Sequence, residues 1–440
     1  MSMGGLLVDF GQLLWDMVQR MNDTERMELK WRIARIFTPS APISDSTLFA
    51  GRKKQIQAVL NTISQRGQHA ALFGERGVGK TSLAKVIRDF MVKMEDFAIV
   101  STNCDTTTNF KSIWTNILNE GIFRKTEVGM GFNPPTHSEE SSLSKQLSKE
   151  PSPEEIRQIL QRLDKPTLII IDEFDRITDK KTKTRLADTI KTLSDHSVDS
   201  TLLLIGVADS LDHLMAEHRS IERALVQIHM PRMSIIELRE IVTNGLAKLG
   251  MGIEASPLDR ISALSHGLPH YSHLLALHAA QAAVDRDSTT IAQVDVTSAI
   301  NSAITQAQQT IIHSYQEATR SARGNLYSQV LLACALAKTD EWGYFPAANV
   351  RSPLSLIMNK PYDIPAFAQH LKDFNSGKRG IVLQRTGFPR RYRFRFENPL
   401  MEPYVVMKGI SQGFIKPDML DVDDKAIAPA PSANDTPMLF

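Results

Sequence analysis

Apolar residues follow two spacings along this chain, and each spacing predicts a different element. Four short apolar runs, at residues 70–73, 97–103, 167–171 and 201–207, have the composition of buried strands. The residues between these runs repeat apolar positions at helical spacing, as in the segment 53–66. Strands that alternate with helices predict a parallel sheet that is covered by helices on both faces.

The pattern changes on either side of this α/β region, and the changes predict five parts. The N-terminal arm is expected either to pack on the α/β core of its own chain or to bind a partner. The last third of the chain predicts helices followed by a two-stranded ribbon, which is the order of a winged helix. The predicted parts are an N-terminal helical arm and linker (1–46), an α/β domain (47–231) with a flexible insertion rich in Gly, Pro, Ser and Glu (126–154), an all-helical domain (232–320), a winged-helix domain (321–415) and a disordered tail (416–440).

Composition fits a multi-domain globular protein. The chain has 440 residues, of which 42% are hydrophobic and 23% are charged, so it can bury substantial cores. A net charge of +2 means that any basic surface has to be local. The two cysteines, Cys104 and Cys334, form no metal or disulfide pattern, which favours a reducing, cytoplasmic setting. No apolar run is long enough for a bilayer span and no secretory pattern begins the chain, so we expect no membrane partner.

The most informative motif is the segment 74–81, GERGVGKT, which fits the pattern G-x-x-x-x-G-K-[ST]. It lies between an apolar run and a helical pattern, which is the context of a phosphate-binding loop. Backbone N–H groups of such a loop and the helix N-terminus bind polyphosphate. Lys80 is predicted to reach the β- and γ-phosphates of ATP, and the Thr81 hydroxyl to hold Mg²⁺. The predicted nucleotide-binding residues here are Gly74, Glu75, Arg76, Gly77, Val78, Gly79, Lys80, Thr81 and Ser82.

A second motif supports the first. The apolar run at 167–171 ends in Asp172 and Glu173. Ligands bind at the carboxyl ends of parallel strands. Asp172 is therefore predicted to help hold Mg²⁺, and Glu173 to polarise the water that attacks the γ-phosphate. The alternative is an acidic helix cap after a core strand.

With these motifs the chain resembles the AAA+ ATPases, and more narrowly the origin-recognition initiator ATPases, over residues 47–415. The resemblance implies an α/β fold: a three-layer, parallel-sheet P-loop AAA+ domain, followed by an all-helical lid and a winged-helix DNA-binding domain. Gly51 and Arg52 resemble the hydrophobic-Gly-Arg box that lies against the adenine and ribose.

Three further positions are implied by this resemblance. Asp209, or Ser210 as its substitute, matches the sensor at the end of a strand. Arg223, with Arg219 as second choice, matches the arginine finger that completes a neighbouring subunit's site, so the resemblance implies a homo-oligomer. His270 stands where the lid of the family presents an arginine, and it is either a phosphate contact or a packed side chain.

A local basic cluster lies in the predicted ribbon. Its second strand places Arg391, Arg393 and Arg395 on one face and aromatic residues on the other. Such a ribbon suits double-stranded DNA, whereas the alternative is a solvated edge strand. Seven basic residues with no acidic residue among them are the predicted DNA contacts: Lys378, Arg379, Arg385, Arg390, Arg391, Arg393 and Arg395.

Three hypotheses follow. The first is an ATPase that hydrolyses ATP to ADP and phosphate and uses the nucleotide state to control assembly and DNA engagement, with an effector, nuclease or transposition protein as a further partner. The second is a regulatory ATPase of the STAND kind (signal-transduction ATPases with numerous domains), in which the winged helix is autoinhibitory and the partner is an effector protein. The third is an ATP-bound scaffold with negligible turnover.

Overall fold

The computed structural model of the chain describes residues 21–41, 51–94, 97–120, 125–126, 137–138, 143–207, 221–320, 326–389 and 391–416. The chain divides into two units. We call residues 40–232 the sheet unit, and residues 1–39 together with 233–440 the helical unit. Each unit is described separately.

The sheet unit is built on five parallel strands in the order β2-β5-β6-β1-β7. Every residue of β5 and β6 is buried, which explains why the sequences of these two strands are mostly apolar. The strands are β1 (His69–Phe73), β2 (Ala98–Asn103), β5 (Thr167–Asp172), β6 (Ser200–Gly206) and β7 (Leu225–His229), with a separate antiparallel pair of β3 (Lys125–Thr126) and β4 (His137–Ser138).

Among the described residues of the sheet unit, five α-helices accompany the sheet, and local sequence sets their ends. Asp179 caps the longest of them by accepting hydrogen bonds from the amides of Lys181 and Thr182. Apolar side chains of the helices, with Trp114 and Phe110 among the largest, form one core with the strands. The helices are α1 (Lys53–Ile63), α2 (Lys80–Val92), α3 (Phe110–Glu120), α4 (Pro153–Leu160) and α5 (Lys180–Asp195), and short 3₁₀ helices span Leu143–Gln146 and Phe174–Arg176.

The helical unit combines the N-terminal helix (Asp23–Ile36) with the helices that follow residue 233. Arg26 of this helix pairs with Asp287 at 2.7 Å, and the Phe37 ring meets the His273 ring edge-on at 5.9 Å between centroids. The described helix of the arm therefore packs on the helical unit. The next helices are α6 (Ile235–Leu249), α7 (Ala255–Leu264), α8 (Pro269–Asp285), α9 (Gln293–Thr305) and α10 (Gln309–Thr319), with a two-stranded pair of β8 (Gly252–Ile253) and β9 (Thr290–Ile291).

The last part of the chain has the predicted order of elements and a small antiparallel sheet, β10-β12-β11. The fold class predicted from the sequence is thus confirmed, whereas the predicted domain boundaries stay predictions. Within the described residues no helix is both long enough and apolar enough to cross a membrane. The elements are α11 (Tyr327–Ala335), β10 (Phe345–Pro346), α12 (Ala348–Met358), α13 (Ile364–Phe374), a 3₁₀ helix (Gly377–Arg379), β11 (Leu383–Thr386), β12 (Arg393–Phe396) and α14 (Met401–Ser411).

Two predicted segments fall largely outside the described residues. The tail is described only at residue 416, and the insertion at residues 126, 137–138 and 143–154. The last part of the insertion contains the 3₁₀ helix Leu143–Gln146, and the Leu143 side chain is buried in the core of the sheet unit.

Candidate nucleotide-binding site

The phosphate-loop sequence folds as a turn between β1 and α2, and its glycines are required by the backbone. Gly77 and Gly79 have φ angles of 89° and 95°, a left-handed region that favours glycine. At Gly74 a Cβ atom would lie 2.3 Å from the carbonyl oxygen of Met230, so only glycine permits this approach. The loop ends at Lys80, where α2 begins. Amides of a helix N-terminus thus follow directly on the loop, which is the arrangement that binds phosphate.

Lys80 lies half-buried against its own loop. Its Nζ donates hydrogen bonds to the carbonyl oxygens of Gly74, at 2.9 Å, and Glu75, at 2.8 Å. Burial lowers the pKa of Lys80 to about 8, and the carboxylates of Asp175, Asp172 and Glu75 oppose that shift. The ammonium group is therefore held among acceptors inside the loop.

Thr81 and Asp172 are brought together although 91 residues separate them. The Thr81 hydroxyl donates to Oδ2 of Asp172 at 2.8 Å, and the other carboxylate oxygen accepts the Glu173 amide at 2.7 Å. Burial raises the pKa of the Asp172 carboxyl, while these two hydrogen bonds oppose the rise. A hydroxyl next to a carboxylate is a set of hard oxygen donors that fits Mg²⁺.

The rest of a magnesium shell would come from elsewhere. Among the described residues no group of three or more His, Cys, Asp or Glu side chains could hold a metal ion. Mg²⁺ commonly takes one or two protein ligands and completes its shell with water and phosphate oxygens. Thr81 and Asp172 match that mode of binding.

Glu173 occupies an unusual backbone position directly after β5. Its φ and ψ angles are 55° and 35°, in the left-handed region that side chains other than glycine seldom adopt. Its carboxylate lies 3.3 Å from the guanidinium of Arg176, and both side chains are 51% exposed. The carboxylate of Glu173 is therefore accessible to water beside the Thr81–Asp172 pair.

The Arg52 side chain is buried and contacts backbone carbonyl groups. Its Nη2 donates to the carbonyl oxygens of Pro231, at 2.6 Å, and Val78, at 3.2 Å. Gly51 precedes it with a φ of 64°. The predicted contact of these two residues with adenine and ribose stays a prediction.

One ion pair of the phosphate loop was not predicted from the sequence. Nε of Arg232 lies 2.6 Å from Oε2 of Glu75, with side chains 18% and 12% exposed. The two residues are 157 positions apart, and no local pattern pairs them. The neighbouring loop residue Arg76 is exposed, and Ser82 is partly buried on the first turn of α2.

Comparison with known families places this site in a named group. The family model of the Novel STAND NTPase 1 family matches residues 41–340, which include the phosphate loop and the Asp172–Glu173 motif and make up more than half of the chain. The chain belongs to the Novel STAND NTPase 1 family. No curated protein sequence matches it.

Solved structures similar to this STAND NTPase include Cdc6p from Pyrobaculum aerophilum, at 15% identity over 87% of this chain and 99% of that chain, with a TM-score of 0.44. The ORC2 protein of Aeropyrum pernix is 17% identical over 82% of this chain and 93% of that chain, with a TM-score of 0.46. The RuvB Holliday junction branch migration motor of Thermotoga maritima is 16% identical over 79% of this chain and 93% of that chain, with a TM-score of 0.42. The predicted resemblance to the initiator group is thus confirmed for the structure alone. At these sequence identities and TM-scores, no activity or partner of those proteins can be assigned to this chain.

The other residues implied by the resemblance are only partly described in this STAND NTPase. Arg223 is exposed on the turn before β7, whereas Arg219, Asp209 and Ser210 lie outside the described residues. His270 belongs to the helical unit, and its Nδ1 lies 2.8 Å from the carbonyl oxygen of Pro39. Burial lowers the pKa of His270. The structure thus joins His270 to the segment that follows the N-terminal helix.

The basic ribbon has the predicted alternation. Phe394 and Phe396 of β12 are buried and Arg393 is exposed, whereas Arg391 is exposed but precedes the strand. Lys378 and Arg385 are also exposed, and Arg385 lies over the Tyr392 ring at 4.4 Å. Arg390 lies outside the described residues.

Three of the ribbon's cations are engaged within the chain. Arg393 pairs with Asp340 at 2.8 Å. Arg395 donates to the Gln384 side chain at 2.7 Å and lies over the Tyr344 ring at 4.7 Å. Arg379 donates to the Arg320 and Ala318 carbonyl oxygens, at 2.6 and 3.1 Å, and lies over the Tyr327 ring at 3.5 Å. The sequence showed the charges of this ribbon but not these partners.

Proposed function

We propose that this STAND NTPase binds ATP with Mg²⁺ and hydrolyses it to ADP and phosphate. The observation that carries the proposal is the 2.8 Å contact between the Thr81 hydroxyl and the Asp172 carboxylate, at the start of the helix that follows the glycine loop. It brings together the two residue types that hold Mg²⁺ in P-loop NTPases. The family assignment supports the same reaction class.

Each residue has a separate task in this proposal. Lys80 and the loop amides bind the β- and γ-phosphates and offset their charge. Thr81 and Asp172 would hold Mg²⁺, which would supply further charge neutralisation at the phosphates. Glu173 accepts a proton from the attacking water, whose oxygen bonds to the γ-phosphorus as the bond to the ADP oxygen breaks. The freed proton leaves from the Glu173 carboxylate to solvent.

Turnover in this proposal is slow and depends on assembly. Arg223 is exposed on the turn before the edge strand β7, which suits a residue that completes the site of a neighbouring copy. Hydrolysis per subunit is then expected to rise with protein concentration, and Arg223→Ala to abolish that rise without weakening nucleotide binding. A rate per subunit that is independent of concentration would contradict the role of Arg223.

The hydrolytic proposal is tested with Glu173→Gln. The amide cannot accept the proton, so hydrolysis should fall about 10²- to 10⁴-fold while ATP affinity stays near the wild-type value. The control is Glu120→Gln, an exposed carboxylate at the end of α3, which should change neither quantity. Equal hydrolysis by wild type and Glu173→Gln would favour the ATP-bound scaffold instead.

We propose double-stranded DNA as the partner of the basic ribbon. Support comes from three exposed cations on it, Lys378, Arg385 and Arg391. Their joint replacement by alanine should remove DNA binding in low salt, whereas Lys338→Ala, an exposed cation outside the ribbon, should not. Wild-type protein that fails to bind DNA in low salt would contradict this partner.

The second candidate is a regulatory switch whose C-terminal domain is autoinhibitory and whose partner is an effector protein. The match to a STAND family favours it. The contacts of Arg379, Arg393 and Arg395 within the chain reduce the number of ribbon cations that are available to DNA, the partner in the first candidate. Under this alternative, DNA leaves the hydrolysis rate unchanged. Stimulation of hydrolysis by DNA would favour the first candidate.

A further inference from the structure

Glu75 connects the phosphate loop to the segment that leaves the sheet after β7. Its carbonyl oxygen accepts a hydrogen bond from Lys80 Nζ at 2.8 Å. Its carboxylate accepts two hydrogen bonds from Arg232, at 2.6 Å from Nε and 3.3 Å from Nη2. One residue therefore contacts both the lysine assigned to phosphate and the last residue of the sheet unit.

Two more contacts join the same parts of the chain. We call residues 230–232 the exit segment. Arg52 donates from one nitrogen to Val78 of the loop, at 3.2 Å, and to Pro231 of the exit segment, at 2.6 Å. The Gly74 backbone lies so close to Met230 that a Cβ would come within 2.3 Å of its carbonyl oxygen. The phosphate loop thus contacts Met230 and Arg232 directly, and it is linked to Pro231 through the Arg52 side chain.

The exit segment leads directly into α6. Ser234 caps that helix, and the Glu237 side chain returns to the Ser234 amide, so a complete capping box begins two residues after Arg232. A displacement of Arg232 therefore reaches a rigid helix end through very few bonds. This is the shortest covalent route from the phosphate loop's contacts to the helical unit.

We infer that Glu75, Arg232 and Arg52 are positioning residues that transmit occupancy of the phosphate loop to the exit segment. The inference rests on the proposed function, because it requires the loop to bind phosphate. Phosphate competes with the Gly74 and Glu75 carbonyl oxygens for the Lys80 ammonium. Release of those oxygens alters the backbone at Glu75, and the carboxylate of the same residue carries the change to Arg232.

Binding of fluorescent ADP and of a non-hydrolysable fluorescent ATP analogue tests the coupling. Glu75→Gln and Arg232→Gln each remove one charge of a largely buried pair, and each should change affinity about tenfold, equivalent to about 1.4 kcal/mol. The double variant should be no weaker than either single one, because the two residues act as a pair. The matched control is Arg66→Gln, which breaks the ion pair with Asp199 whose side chains are 71% and 41% exposed, and should leave affinity unchanged.

Hydrogen exchange separates transmission from a merely structural role. Amides of residues 230–240 in the full chain should exchange at a different rate when nucleotide saturates the wild type. Arg232→Gln and Arg52→Lys, at concentrations that saturate them too, should lose that difference. Lysine keeps the charge of Arg52 but lacks the guanidinium Nη2 that donates to both carbonyl oxygens.

Three outcomes have distinct meanings. Additive effects of Glu75→Gln and Arg232→Gln, or an unchanged exchange response in Arg232→Gln, would overturn the inference and leave the proposed function intact. A loss of thermal stability alone, with wild-type affinity and exchange response, would do the same. Wild-type protein that binds neither nucleotide would refute the proposed function and the inference together.

Discussion

His69 should make the stability of the sheet unit depend on pH. The side chain begins β1, is 0% exposed, and its Nδ1 accepts the amide hydrogen of Leu202 at 3.0 Å. Burial lowers the pKa of His69 to about 4, and the nearby Ile190 backbone only partly opposes that shift. The folded protein therefore holds this ring neutral, with its Nδ1 lone pair in use.

The sign and size of the effect follow from the two pKa values. The pKa of His69 is 6.5 when unfolded and about 4 when folded, so between these values the unfolded chain binds more protons. The free energy of unfolding consequently falls as pH drops below about 6.5. Its decrease between pH 7 and pH 5 is about 2 kcal/mol, and the full decrease down to pH 4 approaches about 3 kcal/mol.

Urea denaturation at pH 7 and pH 5 measures this decrease. Trp114 is fully buried in the sheet unit, so its fluorescence reports on that unit once the other three tryptophans are replaced by phenylalanine. His69→Gln keeps an acceptor for the Leu202 amide and cannot titrate, so its decrease should be smaller by about 2 kcal/mol. His313→Gln, at a side chain 78% exposed in the helical unit, is the control. An equal decrease in the free energy of unfolding for His69→Gln and wild type between pH 7 and pH 5 would exclude His69 as its cause.

Three shorter predictions concern close packing and a buried thiol. Gly74→Ala should weaken nucleotide binding at least about tenfold, because its Cβ would lie 2.3 Å from the Met230 carbonyl oxygen; fluorescent-nucleotide titration checks this. Gly245→Ala places a Cβ 2.5 Å from the Phe37 ring, so chemical denaturation should show that the helical unit is destabilised by about 1–3 kcal/mol. The control is Gly377→Ala, whose Cβ would have no atom within 4 Å and which should leave the stability of the helical unit unchanged. Burial and nearby carboxylates raise the pKa of Cys104 to about 12, so its thiol should react with disulfide reagents at pH 8 only after unfolding; rapid labelling of the native protein would contradict this.

The fold and the centre of the site were predictable because their signals are local. Residues 168–171 of β5 are all apolar because both faces of the strand are buried, and this apolar run is visible in the sequence alone. The phosphate loop requires glycines at 77 and 79 for backbone reasons, and these are visible as a motif. Strand ends in a parallel sheet share one edge, which is why the pairing of Thr81 with Asp172 could be expected.

The features that the sequence did not predict depend on position in the sheet and on distant partners. β7 is an edge strand in which only Leu225 and Ile228 are buried, so it lacks the continuous apolar run that identified its neighbours. The pair of Glu75 with Arg232 joins residues 157 positions apart. Arg52 matched a motif by spacing, but its contacts with Val78 and Pro231 are decided by how the loop and exit segment fold together.

Contacts between distant residues also affect the proposed DNA contact. The sequence shows how many cations the ribbon has, but only the structure shows how many of them are available to bind phosphate. Of the six described cations of the ribbon, Arg379, Arg393 and Arg395 form hydrogen bonds or an ion pair with groups of their own chain. The logarithm of the binding constant changes with the logarithm of salt concentration by about −0.9 per phosphate contact. Six contacts would give a slope of about −5, whereas Lys378, Arg385 and Arg391 alone give about −3. A titration of duplex affinity against salt that yields about −5 would mean that the three intramolecular contacts open on DNA, and a slope near zero would remove DNA as the partner of this ribbon.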